Sequence, residues 1–391
     1  MKIAIVLPSI NGYSGVGKIV GQHVDFLTSQ VGGHEVDVIT HTIKHSPFNK
    51  NFFIKNPFSK NRKVTIKRQP KWWLKKFDYH KFCDFAEKEL KQGYSLIISH
   101  GIGCKSSDIS FFHNIGWRAQ QERGDTDVAI PKYNPNDSLM GSLMVVPSEM
   151  VKNEYVSLCG FPEDKLDFLV PGVDVKICNE NVKSLRGKVL DKYKITPVYG
   201  KKPFVVSLIA SGELEKTRGL DNFLAVIANL KTRIRELFVI VVGSSNFANR
   251  RRIRSKIKKA TGNIRFLYIP KIKYLEEIYS VTDLVIHPAI YETFGMVVSE
   301  AIACGIPVIT NKNVGASALI KDLTTAPNLV VQNTNDVSAM TSASLEVYNN
   351  YQHYSEVFSK LGDEVRKNLS WEEHNKKLVK IIDRVIGERS V

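Results

Sequence analysis

The chain is poor in the features that mark several protein classes. Its 391 residues hold five cysteines, Cys83, Cys104, Cys159, Cys178 and Cys304, with no Cys-x-x-Cys pair and no histidine at ligand spacing. An odd, dispersed set argues against a disulfide framework or a zinc site and for reduced thiols in the cytoplasm. No apolar run approaches the roughly 20 residues needed to cross a bilayer. The opening MKIAIVLPSI is interrupted by Pro8 and Asn11, so it reads as a first strand and not as a leader. Acids are scarce in one place: residues 44–81 carry twelve Lys and Arg against the single Asp78.

That segment holds most of the net charge of +16. Aromatics are interleaved with it, among them Phe48, Phe52, Phe53, Phe58, Trp72, Trp73 and Phe77. Such a mixture suits an anionic membrane or an anionic glycolipid, with Lys71, Trp72, Trp73, Lys75 and Lys76 as the expected contact. Nothing resembles a zinc finger, a helix-turn-helix or a single-strand signature, so nucleic acid is not an expected partner despite the charge. A second basic run, residues 250–259, falls on a helix and reads either as a solvated face or as a functional one.

The chain is too long for one ordinary core, and two domains are expected. KIAIVLPSI, a glycine loop, an amphipathic helix to about Gln30 and GHEVDVIT make a βαβ start, with YSLIISH, SDISFFHN and LMVVPSEM as further strands. The scheme begins afresh near Pro203 with PFVVSLIA, a helix over residues 220–230, FVIVVG, NIRFLYIP, DLVIHPAI and PVITN. Alternation of this kind predicts an α/β architecture of two doubly wound, Rossmann-like domains. Expected bounds are 1–180 and 181–370, with a break between Pro171 and Lys202 and a final helix, 371–391.

The richest stretch is residues 287–307, HPAIYETFGMVVSEAIACGIP. The apolar run before it reads as a buried strand, which puts residues 291–295 at the strand's carboxyl end, where open α/β sheets bind ligands. The amides of Gly295, Met296 and Val297 then open a helix stopped by Gly305 and Pro307, and unpaired amides at a helix start suit a diphosphate. Read as eight helical positions, Glu292 and Glu300 stand about 12 Å apart. The paired carboxylates of a retaining glycosidase stand only about 5 Å apart, so the two glutamates fit better as acceptors at the ends of one long ligand.

Glu-x-Phe-Gly-x4-Glu-Ala-x-Ala-x-Gly-x-Pro-Val, here Glu292, Phe294, Gly295, Glu300, Ala301, Ala303, Gly305, Pro307 and Val308, resembles the nucleotide-sugar motif of the family 4 retaining glycosyltransferases. The resemblance implies the GT-B fold, two Rossmann-like domains facing a cleft with the last helix crossing back to the first. It implies that Glu292 and the following amides bind the donor sugar and that Glu300 binds the ribose. Weaker similarity of SSDISFFHNIGWRAQ and LVIHPAIYETFGMVVSEAI points toward bacterial lipopolysaccharide core glucosyltransferases.

Two glycine loops frame this motif. Gly12 to Lys18 nearly spells a Walker P-loop, but Ile19 stands where a magnesium-binding Ser or Thr is needed, and Asp37 falls inside strand two where a dinucleotide fingerprint wants its acid at the end. Gly15, Val16 and Gly17 are therefore expected to let backbone approach the donor diphosphate, as the matching loop does in the family resembled. The loop over residues 211–219 departs from the family pattern, with Glu213 and Arg218 where Arg and Lys are usual. Diphosphate charge would be met by Arg218 and Lys216, Arg replacing Lys in charge but not in geometry. His113, at a strand end, resembles the family histidine that contacts the donor sugar; Asn114 stands where an acid often follows, and His100 is the weaker candidate.

The reading is a retaining hexosyltransferase, glucose or similar, using a nucleotide-diphosphate sugar, UDP-sugar above others, as co-substrate, with no cofactor and no divalent metal. Glu292, His113 and Arg218 are its candidate catalytic residues. Its acceptor would be a bacterial surface glycan or glycolipid such as lipopolysaccharide, and its place the inner face of the cell membrane. The alternative is a membrane-surface or polyanion-binding protein on an inactive transferase scaffold.

Overall fold

The structure is a computed structural model that describes residues 1–10, 14–29, 32–43, 64–68, 79–101, 104–113, 116–125, 128–134, 142–197, 200–210, 214, 217–243, 247–270, 272, 274–320 and 328–388. It divides into two units. The first comprises Met1–Trp117, Val128–Gly172 and Trp371–Val391; the second comprises Arg118–Asp127 and Val173–Ser370.

In the first unit β1 (Lys2–Ile10), β2 (Glu35–Ile43), β3 (Val64–Arg68), β4 (Leu96–His100), β5 (Ile109–Phe111), β6 (Leu143–Val146) and β7 (Leu166–Phe168) form one sheet in the order β3-β2-β1-β4-β5-β6-β7. Every pairing is parallel. Period-two alternation sends Ile3, Ile5 and Leu7 to one face and Ala4 and Val6 to the other. Both faces are apolar because helices cover both. Helices α1 (Gly15–Thr28), α2 (Tyr79–Leu90), α3 (Gly116–Glu122) and α4 (Glu149–Cys159) follow the strands, α3 bridging the two units in sequence.

The second unit repeats the winding. Strands β8 (Phe204–Ile209), β9 (Leu237–Val242), β10 (Phe266–Ile269), β11 (Leu284–Ile286), β12 (Val308–Asn311) and β13 (Val330–Val331) lie in the order β10-β9-β8-β11-β12-β13, again all parallel. Its helices are α5 (Arg186–Lys192), α6 (Leu220–Leu230), α7 (Phe247–Thr261), α8 (Leu275–Val281), α9 (Met296–Ala303), α10 (Val337–Asn349) and α11 (Tyr351–Asn368). Strand order reverses between β1 and β4 in one sheet and between β8 and β11 in the other. Ligands of doubly wound sheets bind at such reversals, outside the carboxyl ends of the strands.

Three strands were not legible beforehand. β3 lies in the segment read for its charge, and β7 and β13 are too short to show a period. The stretch 171–202, read as a strand-poor break, holds a 3-10 turn (Glu180–Leu185) and α5, which bury Val182 and Val189 within the second unit. The unit boundary falls earlier, at Gly172 and Val173, because the Val173 amide donates to the Leu369 carbonyl of its own unit at 2.7 Å. The last helix, α12 (Trp371–Glu388), buries Leu378, Ile381, Ile382 and Val385 in the core of the first unit beside Ile3, Ile5 and Val24.

Candidate active site

The site in the second unit is built on the loop between β11 and α9. His287 continues the ladder beyond β11, its amide donating to Ile309 and its carbonyl accepting from Thr310 Oγ1. The chain then turns over Gly219, whose φ of 69° and contact with the Pro288 carbonyl leave no room for a Cβ. Ile290 donates to the Thr217 carbonyl, Glu292 to that of Asn313, and Gly315 to that of Glu292. Glu292 thus sits on backbone held from both sides.

Its carboxylate is held as firmly. Arg218 Nη1 donates to Oε1, and His287 Nε2 lies 2.6 Å from Oε2. Burial opposes the charge, but the Arg218 guanidinium and the His287 imidazole outweigh it and hold the carboxyl down at about 2. Glu292 is therefore ionised throughout the physiological range. The loop between β8 and α6 supplies the arginine, so both contributors stand at the reversal between β8 and β11.

Past Phe294, Gly295 adopts φ 96° as the residue before α9, and no side chain caps that helix. Among the described residues nothing accepts from the amides of Gly295, Met296 and Val297. They form the unfilled positive end of a helix. Only residues 296–303 are helical, so the spacing of the glutamates follows from a loop and two helical turns, not from eight helical positions as expected. Glu300 lies buried on the inner side of α9 and accepts the Tyr279 hydroxyl at 2.9 Å. Neither Tyr279 nor the role of His287 was found from sequence. A polar residue closing the apolar run DLVI was the available signal for His287.

The strand ends of the first unit differ from expectation. Gly15, Val16 and Gly17 are the first turn of α1 and not a loop, and Ser14 caps that helix by accepting the Gly17 amide at 3.0 Å. Gly17 is thereby occupied, while the amides of Gly15 and Val16 have no acceptor among the described residues. His113 lies beyond β5 with its ring stacked on His100, nitrogens 2.9 Å apart. His100 packs in turn against His23. His374 of α12 donates from Nδ1 to the Val170 carbonyl at 2.7 Å, which leaves its Nε2 to accept from His23 Nε2 at 2.8 Å. Burial pulls His113 and His374 down to about 4 and His23 and His100 well below their ordinary value. His113 is thus one of four neutral imidazoles, and His100, judged the weaker candidate, is its direct partner.

Lys216, Glu213, Asn114, Lys71, Trp72, Trp73, Lys75 and Lys76 lie outside the described residues. The expectation of no divalent metal passed over one Asp-x-Asp triplet, residues 125–127, of which Asp125 pairs with Arg123 at 3.3 Å. No cluster of three or more metal-ligating side chains occurs among the described residues.

Residues 192–365 match the family model of glycosyl transferases group 1. The matched stretch is less than half of the chain and is similar to a group 1 glycosyltransferase domain. It is 26% identical over 244 residues to a probable sucrose-phosphate synthase of Thermosipho melanesiensis, covering 59% of this chain and 50% of that protein. The chain spans half or less of the length of the first curated relatives it matches. Among solved structures it is similar to WaaG, a glycosyltransferase involved in lipopolysaccharide biosynthesis, with a TM-score of 0.74 and 15% identity over 97% of this chain and 99% of that one. Anabaena HepE in complex with UDP-glucose aligns with a TM-score of 0.70 and 14% identity over 98% and 100%. The fold is that of the GT-B glycosyltransferases, and the residues matched by the family model contain Arg218, His287, Glu292 and Glu300.

Proposed function

We propose that the chain is a retaining glycosyltransferase that moves a hexose from a nucleotide-diphosphate donor, a UDP-sugar, to a glycan or glycolipid acceptor of the bacterial surface. The observation that carries this reading is the ionised Glu292, clamped on both oxygens next to an uncapped helix start. The carboxylate accepts sugar hydroxyls, the amides of Gly295, Met296 and Val297 receive the diphosphate, and Glu300 takes the ribose. Arg218 and Lys216 add positive charge where the leaving phosphate becomes more negative, so rate comes chiefly from electrostatic stabilisation of the leaving group. A carboxyl held at about 2 is a poor general base at neutral pH. That favours the departing phosphate as acceptor of the incoming hydroxyl's proton. His113, Gly15 and Val16 remain candidate donor-binding residues of the first unit, and the reaction is proposed to need no divalent metal or other cofactor.

The lipopolysaccharide direction is supported by the fold shared with WaaG, and the UDP-sugar by the complex of HepE with UDP-glucose. Peripheral attachment at the inner face of the cell membrane is supported by α7, where Arg251, Arg254, Lys258 and Lys259 are exposed while Ile253 and Ile257 face the core. Among the described residues no helix is long and apolar enough to cross a membrane. Replacing Arg251, Arg254 and Lys258 by Glu is expected to reduce binding to vesicles of anionic phospholipid, most at low salt. Unchanged partitioning would remove α7 from the membrane reading.

Donor hydrolysis and transfer by Glu292→Gln decide the main proposal, since glutamine keeps the shape and loses the charge. Glu292→Ala is less clean, because it strips Arg218 of its counter-charge and lowers stability as well. Full activity in Glu292→Gln would sink the assigned donor site. Vesicle binding with no turnover of any nucleotide sugar by the natural chain would leave the polyanion-binding alternative.

A further inference from the structure

His287 is 1% exposed at its side chain and follows Leu284, Val285 and Ile286, the aliphatic residues of β11. A buried imidazole there must find partners for its nitrogens or leave them dry. Nε2 finds Glu292 Oε2 at 2.6 Å, and Nδ1 has no partner among the described residues. Among the described residues, the one polar contact of the ring is thus aimed at the carboxylate of the proposed donor site. We propose that His287 is a positioning residue for the donor sugar, whose Nε2–H fixes the plane of the Glu292 carboxylate. The inference rests on the donor reading above.

The physical case is one of rigidity. The last torsion of a glutamate side chain is broad, so a carboxylate held at one oxygen can still turn about its axis. Arg218 holds Oε1, but its side chain is long and 21% exposed. The imidazole is the opposite kind of partner, a flat ring on a short stem. Its backbone is locked into the sheet through Ile309 and Thr310 on both sides of the residue. A group placed on such an element is located more sharply than one placed on a loop. Each carboxylate oxygen carries two acceptor positions. With His287 on one oxygen and Arg218 on the other, one position on each is left in a fixed plane for hydroxyls of the sugar ring.

The test separates positioning of the sugar from plain structural support. UDP and GDP bind without a sugar, UDP-glucose and GDP-mannose with one. His287→Leu is expected to weaken the nucleotide sugar that the natural chain binds by about tenfold and to leave the matching nucleotide diphosphate unchanged. His287→Gln, which returns an N–H near the position of Nε2, should recover most of the loss, and the thermal midpoints of both variants are to be measured beside it. Equal weakening of sugar and sugar-free ligand, or no weakening of either, overturns the proposal. Failure of Glu292→Gln to lose activity instead removes the donor site itself, and this inference with it. Loss in His287→Leu without recovery in His287→Gln also counts against the N–H as the operative group.

Discussion

The two units wind their strands in the same order and then furnish the strand ends in opposite ways. At the reversal between β8 and β11 a carboxylate is kept ionised by an arginine and an imidazole. Beside the strand ends of the first sheet, four imidazoles pack ring against ring and are kept neutral by burial. A fixed charge in one and a set of suppressed charges in the other show that the winding supplies a place for chemistry and leaves its sign to a few side chains.

The comparison breaks first at Glu292. Glu292→Gln should cost on the order of a hundredfold or more in donor hydrolysis, the scale of removing one preorganised electrostatic group, and steady-state assay reads it directly. Next comes acid. His374 falls from 6.5 to about 4 in the folded chain, so between those values the unfolded form takes up a proton that the folded form refuses. Stability is full above pH 6.5 and declines toward pH 4, by about 3 kcal/mol for this one residue. Thermal midpoints across that range should fall, and His374→Gln should flatten the slope; a slope unchanged by the substitution would show that the cluster does not govern acid sensitivity.

Gly219→Ala is a smaller and more local test. Its Cβ would meet the Pro288 carbonyl at 1.8 Å with φ at 69°, so the loop carrying Arg218 must shift. A loss of about 2 kcal/mol is expected by denaturant titration, with weaker donor binding beside it. Tyr279→Phe should have the least effect, about 1 kcal/mol for the bond to Glu300, and should weaken UDP more than it changes turnover.

What sequence revealed and what it hid divide along the same line. Glu292, Phe294, Gly295 and Glu300 stand in one loop and the helix it opens, so their spacing alone carried the pattern. The winding of both sheets was legible too, because apolar runs such as FVVSLI and LFVIVV are strands in their own right. The histidine cluster draws on positions 23, 100, 113 and 374, and no local spacing connects them. Likewise the bonds of His287 to Glu292 and Tyr279 to Glu300 arise from packing, which decides where a side chain points after the elements have formed. The Ser14 bond to the Gly17 amide, a helix cap, is a signal that the glycine pattern overshadows.

The return of the chain into its first unit sets an order of assembly. Gly172 lies against the Trp371 ring, and Val173 bonds to Leu369, so the chain leaves and re-enters through two adjoining strands of backbone. On a ribosome, every residue of the second unit is therefore made before α12 emerges to fill the gap beside Val24 and Leu27. The unit begun first is the one finished last, and until then the apolar side chains that α12 covers lack their partner.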